Sequence, residues 1–484
     1  MPDVEEPTLR ILVGGEFRPS RAAHTEPVLN PAHGTVLARV PFCGPEEVDL
    51  AVRAAARAFP GWRATPVPDR VQVLFRYKAL LEQHREELAR TLSLENGKVL
   101  ADARLEVRRG IEVVDFACGM PTLMMGQTVE GIARGVDSHT VRVPVGVVAG
   151  ICPFNFPAMI PLWMFPIALA AGNAFVLKPS ERTPMTGVRL AELLVEAGLP
   201  EGVLGLVHGG REAVDSLLAH DLVAAVSFVG SEPVARHVYR EAAARGKRVQ
   251  AMAGAKNHLV VLPDADWDLT VKAILGSAFG AAGQRCLAGS VAVPVGAAAQ
   301  PLLDRLAREA EKLPVGDPLV EDSAMGPVIR DDARTRILGY VERGVAEGAT
   351  VLVDGRRPAA GNGFFVGPTI LDAVRPDSAL AREEIFGPVL SVVRSPTVED
   401  AVALVNASRF GNAASVFTRS GRDAWYFRTH VEAGMVGVNV GVAAPMAFFP
   451  FAGWKGSFFG DLHATGQDAV RFYTETRVVI ERWE

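Results

Sequence analysis

Residues 145–178 read VGVVAGICPFNFPAMIPLWMFPIALAAGNAFVLK, and this stretch decides the fold. No charged residue occurs from 143 to 177, a length that would suffice for a membrane span. Pro144, Pro153, Pro157, Pro161 and Pro166, with Gly146, Gly150 and Gly172, interrupt it too often for one continuous helix. The pattern predicts instead a buried strand over 145–152, a loop, a buried helix over 163–171 and a second strand over 174–177. Lys178 is then expected to return the chain to polar surroundings.

The alternation continues downstream: helix 185–197, strand 203–208, helix 211–219, strand 222–229, helix 233–244, strand 248–252. Strands alternating with helices of this length predict a parallel sheet covered by helices on both faces. Such α/β doubly wound sheets bind nucleotides at the carboxyl ends of their strands. Upstream, helices are expected over 46–59, ended by Pro60-Gly61, and over 71–94, stopped by Asn96-Gly97. A second α/β block follows over 254–445, with helices 268–279, 298–312 and 331–347 and strands 350–353 and 389–393. The segments 126–142 and 465–484 read as short β pieces suited to reaching another subunit, and 356–363 as a turn-rich loop.

A chain of 484 residues, 49% hydrophobic and 22% charged, is expected to fold as two or three soluble domains. Its net charge of −5 gives no electrostatic case for nucleic acid or an anionic membrane. The start, from Met1 to Glu6, is acidic and lacks the apolar core of a secretion signal. Cys43, Cys118, Cys152 and Cys286 lie far apart without a CxxC pair, which favours a reducing cytoplasm over a disulfide framework or a zinc site. The histidines lack ligand spacing, so no metal is expected.

Chemistry concentrates at Gly283-Gln284-Arg285-Cys286 and Pro153-Phe154-Asn155-Phe156-Pro157. A cysteine that attacks a carbonyl must become thiolate and needs a donor for the oxyanion it creates. Cys286 supplies sulfur and Asn155 an amide N–H. A lone cysteine is more often a small buried hydrophobe, and it is the pairing that favours a nucleophile. The fingerprint GxGxxG is absent; Phe228-Val229-Gly230-Ser231-Glu232-Pro233 instead joins a strand to a helix whose first N–H groups, with the Ser231 hydroxyl, could hold a pyrophosphate. Val176-Leu177-Lys178-Pro179-Ser180-Glu181-Arg182 places a cation and a carboxylate beyond a strand end, suited either to the ribose of an adenosine or to a solvated turn. Glu181 would repel a 2′-phosphate, which favours NAD over NADP. In Glu383-Glu384-Ile385-Phe386-Gly387-Pro388-Val389, Glu384 could hold the nicotinamide ribose while Phe386 packs near the nicotinamide.

The ordered set PFNFP, KPSE, FVGS, GQRC, EEIFGPVL and Asn439-Val440 resembles the aldehyde dehydrogenase superfamily over essentially the whole chain. Residues 153–166, Gly254-Ala255-Lys256-Asn257-His258, residues 278–286 and Tyr473-Thr474 resemble its CoA-acylating methylmalonate-semialdehyde (malonate-semialdehyde) dehydrogenase branch. The resemblance implies an NAD-binding domain (1–125 and 143–253), a catalytic thiol domain (254–445) and β oligomerisation segments (126–142 and 465–484). It makes Cys286 the nucleophile and Asn155 the oxyanion donor, and assigns Lys178, Glu181, Arg182, Ser231 and Glu384 to NAD. Backbone groups at Cys152 and Phe154, and the neighbourhood of Ala253, are implied to line the same cleft. Hydrolytic members carry a general-base Glu where this chain has Met252, and a methionine cannot deprotonate water. That departure implies coenzyme A as the acyl acceptor; a hydrolytic dehydrogenase with another base is the alternative. Arg285, beside the nucleophile, and Arg109, in a stretch like the branch's helix near the substrate, could clamp a substrate carboxylate. The branch further implies a cytoplasmic homotetramer, with valine or inositol breakdown as compatible pathways. Leu287-Ala288-Gly289, Gly441 to Ala444, and Trp454 to Phe459 depart from the branch's usual pattern.

Overall fold

The structure is a computed structural model that describes residues 6–358 and 361–483. The acidic start at 1–5 and two positions of the 356–363 loop fall outside the described residues. The opening stretch forms strand Val147–Ile151, helix Met159–Ala170 and strand Ala174–Lys178, with both strands buried throughout. Strands covered on both faces have no reason to alternate polar with apolar residues, hence the continuous apolar runs.

These strands are the middle of an eight-stranded sheet ordered Glu16–Arg18, Ile11–Val13, Leu204–Leu206, Ala174–Lys178, Val147–Ile151, Val223–Val229, Arg248–Met252 and Phe458–Gly460. Its inner pairings are parallel and its outer ones antiparallel. A second sheet of seven strands runs Thr350–Val353, Thr369–Asp372, Val389–Val392, Gly289–Pro294, Asn257–Val261, Ala413–Phe417 and Met435–Val438, parallel except at its first pair. Thr128–Ala133, Val136–Pro144 and Thr474–Arg482 form a separate antiparallel sheet, so the two remote β segments pair with each other. No helix among the described residues is long and apolar enough to cross a membrane.

Four expectations need correction. The first helix runs Pro45–Ala64, straight through Pro60. Its last turn is held from outside, because buried Trp62 donates its indole N–H to the Leu169 carbonyl at 2.9 Å. The helix expected over 71–94 is two, Val67–Gln83 and Arg85–Asn96, broken at His84 without any Gly or Pro to announce it. Lys178 does not lead into solvent; it is the buried last residue of its strand. The segment 465–484 is only partly β, since helix Gly466–Phe472 precedes the final strand.

Candidate active site

The chain reaches Cys286 through a turn that few sequences tolerate. Ala281, Ala282 and Gly283 have φ of 50°, 53° and 69°, three left-handed residues in succession. Side chains disfavour that region by roughly 1–2 kcal/mol per residue, so the turn needs outside support. Asp102 supplies some by accepting the Ala281 N–H at 3.0 Å. Gln284 supplies more: its side-chain oxygen accepts the Ile329 N–H at 3.0 Å. At Gly283 a Cβ would sit 2.2 Å from the Gly387 carbonyl oxygen. Gly283→Ala is therefore expected to destabilise the fold by about 3 kcal/mol, combining strain with overpacking. Denaturant unfolding of the variant measures this, and an unchanged midpoint would show that the turn relaxes freely.

Beyond the turn, Cys286 is the one half-buried thiol among the four free cysteines; Cys43, Cys118 and Cys152 are buried. Burial pushes the Cys286 thiol up to about 12, the Glu384 carboxylate adds to the rise, and the Cys286 and Leu287 backbone amides and Arg285 act against it. The Cys286 carbonyl accepts from the side-chain amides of both Asn257 and Asn412, each at 2.9 Å.

Asn155 is buried, and its amide donates to the Gln284 carbonyl at 2.9 Å, which ties it to the turn that leads to Cys286. One N–H of that amide remains for another acceptor. The loop carrying Asn155 is gripped by side chains that sequence reasoning missed. The Phe154 carbonyl accepts from Asn96 at 2.9 Å and from the Thr183 hydroxyl at 3.0 Å. The Asn155 carbonyl accepts from Lys98 at 2.9 Å. Glu106 accepts the Ala158 and Met159 N–H groups at 2.9 and 3.1 Å and pairs with Lys98 in a buried ion pair. Asn96-Gly97 was legible only as a helix stop, and nothing local marks Lys98 or Glu106.

Cys286, Lys98, Phe156, Arg109, Arg285 and Val442 line one cavity of about 150 Å³. Both arginines expected to clamp a carboxylate border it, and each is already engaged. Arg109 donates to Glu112 at 3.0 Å and to the Pro445 carbonyl at 2.7 Å. Arg285 donates to the carbonyls of Gly276 and Ser277, at the end of helix Trp267–Phe279, while its Nε has no partner.

Among the residues expected to hold a dinucleotide, Lys178 and Glu181 are paired at 3.2 Å just past the strand end. Burial tends to raise the Glu181 carboxyl, but Lys178, a backbone N–H and Arg182 together hold the group below its ordinary value. Ser231 caps helix Glu232–Ala243 without its hydroxyl bonding that helix, which leaves both hydroxyl and first-turn N–H groups for an anion. The Glu384 carboxylate accepts the Ala255 N–H at 2.9 Å, and burial pushes it up to about 7. Phe386, itself left-handed at φ 53°, meets Phe154 edge-on at 5.8 Å, joining the two loops. These positions suit a dinucleotide with free ribose hydroxyls. Four of the expected residues already have partners among these groups. The Phe154 carbonyl is saturated by Asn96 and Thr183, the Cys152 and Ala253 N–H groups donate to Lys178 and Ser457, and Arg182 reaches Asp332 at 3.3 Å across the Phe154 ring. Met252 ends its strand buried between Val229 and Phe458, with no carboxylate in its place.

The model of the aldehyde dehydrogenase family matches residues 17–479. Malonate-semialdehyde dehydrogenase 2 of Geobacillus kaustophilus is 54% identical over 478 residues, covering 98% of this chain and 99% of that protein. Methylmalonate-semialdehyde dehydrogenase from Oceanimonas doudoroffii superposes with a TM-score of 0.97 at 48% identity, covering 99% of both chains. A Sinorhizobium meliloti structure complexed with NAD superposes with a TM-score of 0.98 at 44% identity, again covering 99% of both. Matched along nearly its whole length in sequence and in backbone, the chain belongs to the aldehyde dehydrogenase family.

Proposed function

We propose that this chain oxidises malonate semialdehyde or methylmalonate semialdehyde and transfers the resulting acyl group to coenzyme A. The observation that carries the reading is Met252: a thioether, which cannot activate water, stands where hydrolytic members of the family carry their general-base Glu. The names of the similar proteins support the substrate class.

In this reading the Cys286 thiolate attacks the aldehyde carbon, and the Asn155 amide with the Cys286 N–H stabilises the oxyanion. NAD, held through Lys178, Glu181, Ser231 and Glu384, supplies the hydride acceptor. The remaining acyl group is a Cys286 thioester. Its carbonyl accepts the electrons released when a β-carboxylate departs as carbon dioxide, the same donors stabilise that enolate, and a proton taken from water at its carbon restores the saturated thioester. Coenzyme A thiol then displaces Cys286. The exposed Val129, Ile132, Val478, Ile480 and Trp483 on the three-stranded sheet support contact with a further copy of the chain.

Steady-state NADH formation with and without coenzyme A tests the acyl acceptor. Turnover is expected to require coenzyme A, and Met252→Glu is expected to raise the rate without it. The gain is limited, because a carboxylate placed among apolar side chains is held partly protonated. A parent enzyme equally fast without coenzyme A would establish the hydrolytic alternative.

Arg109→Ala tests the substrate's charge. With a carboxylate-bearing semialdehyde, kcat/KM is expected to fall by ~2–5 kcal/mol, the effect of removing one partner of a desolvated ion pair. Propanal should be nearly unaffected. Equal losses on both substrates would instead assign Arg109 to holding the Pro445 loop, through the bond it already makes.

A further inference from the structure

A buried carbonyl needs one hydrogen bond, and that of Cys286 has two. The donors come from different strands of the second sheet. Asn257 opens strand Asn257–Val261, and Asn412 directly precedes strand Ala413–Phe417. Both side chains are buried. Asn257 is locked in place, for its amide nitrogen also donates to the Ala288 carbonyl at 2.9 Å and its oxygen accepts the Ala413 N–H at 3.0 Å. That network fixes which end of the amide faces Cys286.

The carbonyl is half of a peptide whose other half is the Leu287 N–H. In a planar trans peptide the two point in opposite directions, so holding the carbonyl against the strands also fixes the direction of the Leu287 N–H, one of the backbone amides that favour the Cys286 thiolate. Donors on a carbonyl also draw electron density from the attached N–H and strengthen it as a donor. Among the described residues no side chain hydrogen-bonds the Cys286 sulfur; the Cys286 and Leu287 N–H groups and the nearby Arg285 charge favour its thiolate.

We propose that Asn257 and Asn412 are positioning residues that activate Cys286 through the Cys286–Leu287 peptide, by fixing and polarising the N–H that receives the thiolate. The proposal rests on Cys286 being the nucleophile.

The test is alkylation of the full chain by iodoacetamide across pH, read at Cys286 by peptide mass spectrometry and compared with kcat and KM. The other three cysteines are buried, so the signal is clean. In Asn412→Leu, which keeps the bulk and loses the donor, alkylation is expected to slow by about threefold to tenfold at each pH on the rising limb. kcat should fall while KM for NAD holds. Asn412→Thr, with a shorter donor, should lie between Asn412→Leu and the parent, and it decides the matter if Asn412→Leu does not fold. Alkylation at the parent rate in the folded variant overturns the proposal, even where kcat falls. Retained turnover in Cys286→Ser would overturn the nucleophile assignment instead, and so separates the two failures.

Discussion

Cys286→Ala is expected to lower NADH formation by about four orders of magnitude or more while NAD binding persists. In the proposed mechanism the sulfur forms the covalent bond to the aldehyde carbon, and the other thiols are buried: Cys152 beside the Met164 sulfur, and Cys43 and Cys118 as well. NAD titration of the variant, followed by calorimetry, should match the parent, since the positions proposed for the dinucleotide are Lys178, Glu181, Ser231 and Glu384. A residual rate of about one percent would remove Cys286 from its role.

Asn155→Ala is expected to reduce kcat by two to three orders of magnitude, about 3–4 kcal/mol, the usual effect of losing one oxyanion donor. The variant tests the amide itself rather than the loop that bears it. The bonds from Asn96, Thr183, Lys98 and Glu106 all end on main-chain carbonyls and N–H groups of residues 154 to 159, which alanine retains. Only the bond to the Gln284 carbonyl is lost. Steady-state kinetics separate the outcomes. A rise in KM at constant kcat would mean that Asn155 binds substrate and does not stabilise the transition state.

What could be read from the sequence depended on whether the signal was local. The run from Val147 to Lys178 declares its burial by composition, and Cys286 and Asn155 stand in loops whose immediate neighbours are unusual. Arg109 and Pro445 touch across 336 positions, and nothing near either foretells it. Asn412 reads as an ordinary entry to a strand until the fold brings it to the Cys286 carbonyl. Helix boundaries failed where tertiary contacts overrode local preference, as when Trp62 carries its helix past Pro60. Lys178 was misread because a buried lysine at a strand end looks, residue by residue, like a surface one.

The route by which the first sheet is completed bears on how the protein is made. Strand Arg248–Met252 is covered along one edge by Phe458–Gly460. The Tyr473 carbonyl receives the Asn173 amide at 2.9 Å, and Arg248 donates to the Phe472 and Thr474 carbonyls. About two hundred to three hundred residues, including the whole second sheet, are synthesised between those partners. At ribosomal speeds that interval is roughly ten to sixty seconds. Through it, the nascent first sheet carries an unpaired edge and an unfilled slot where Tyr473 will be fully buried. Such an edge is a template for pairing with another chain. Yield on expression should therefore depend on translation rate and on chaperones that occupy the edge, independently of the stability of the finished fold.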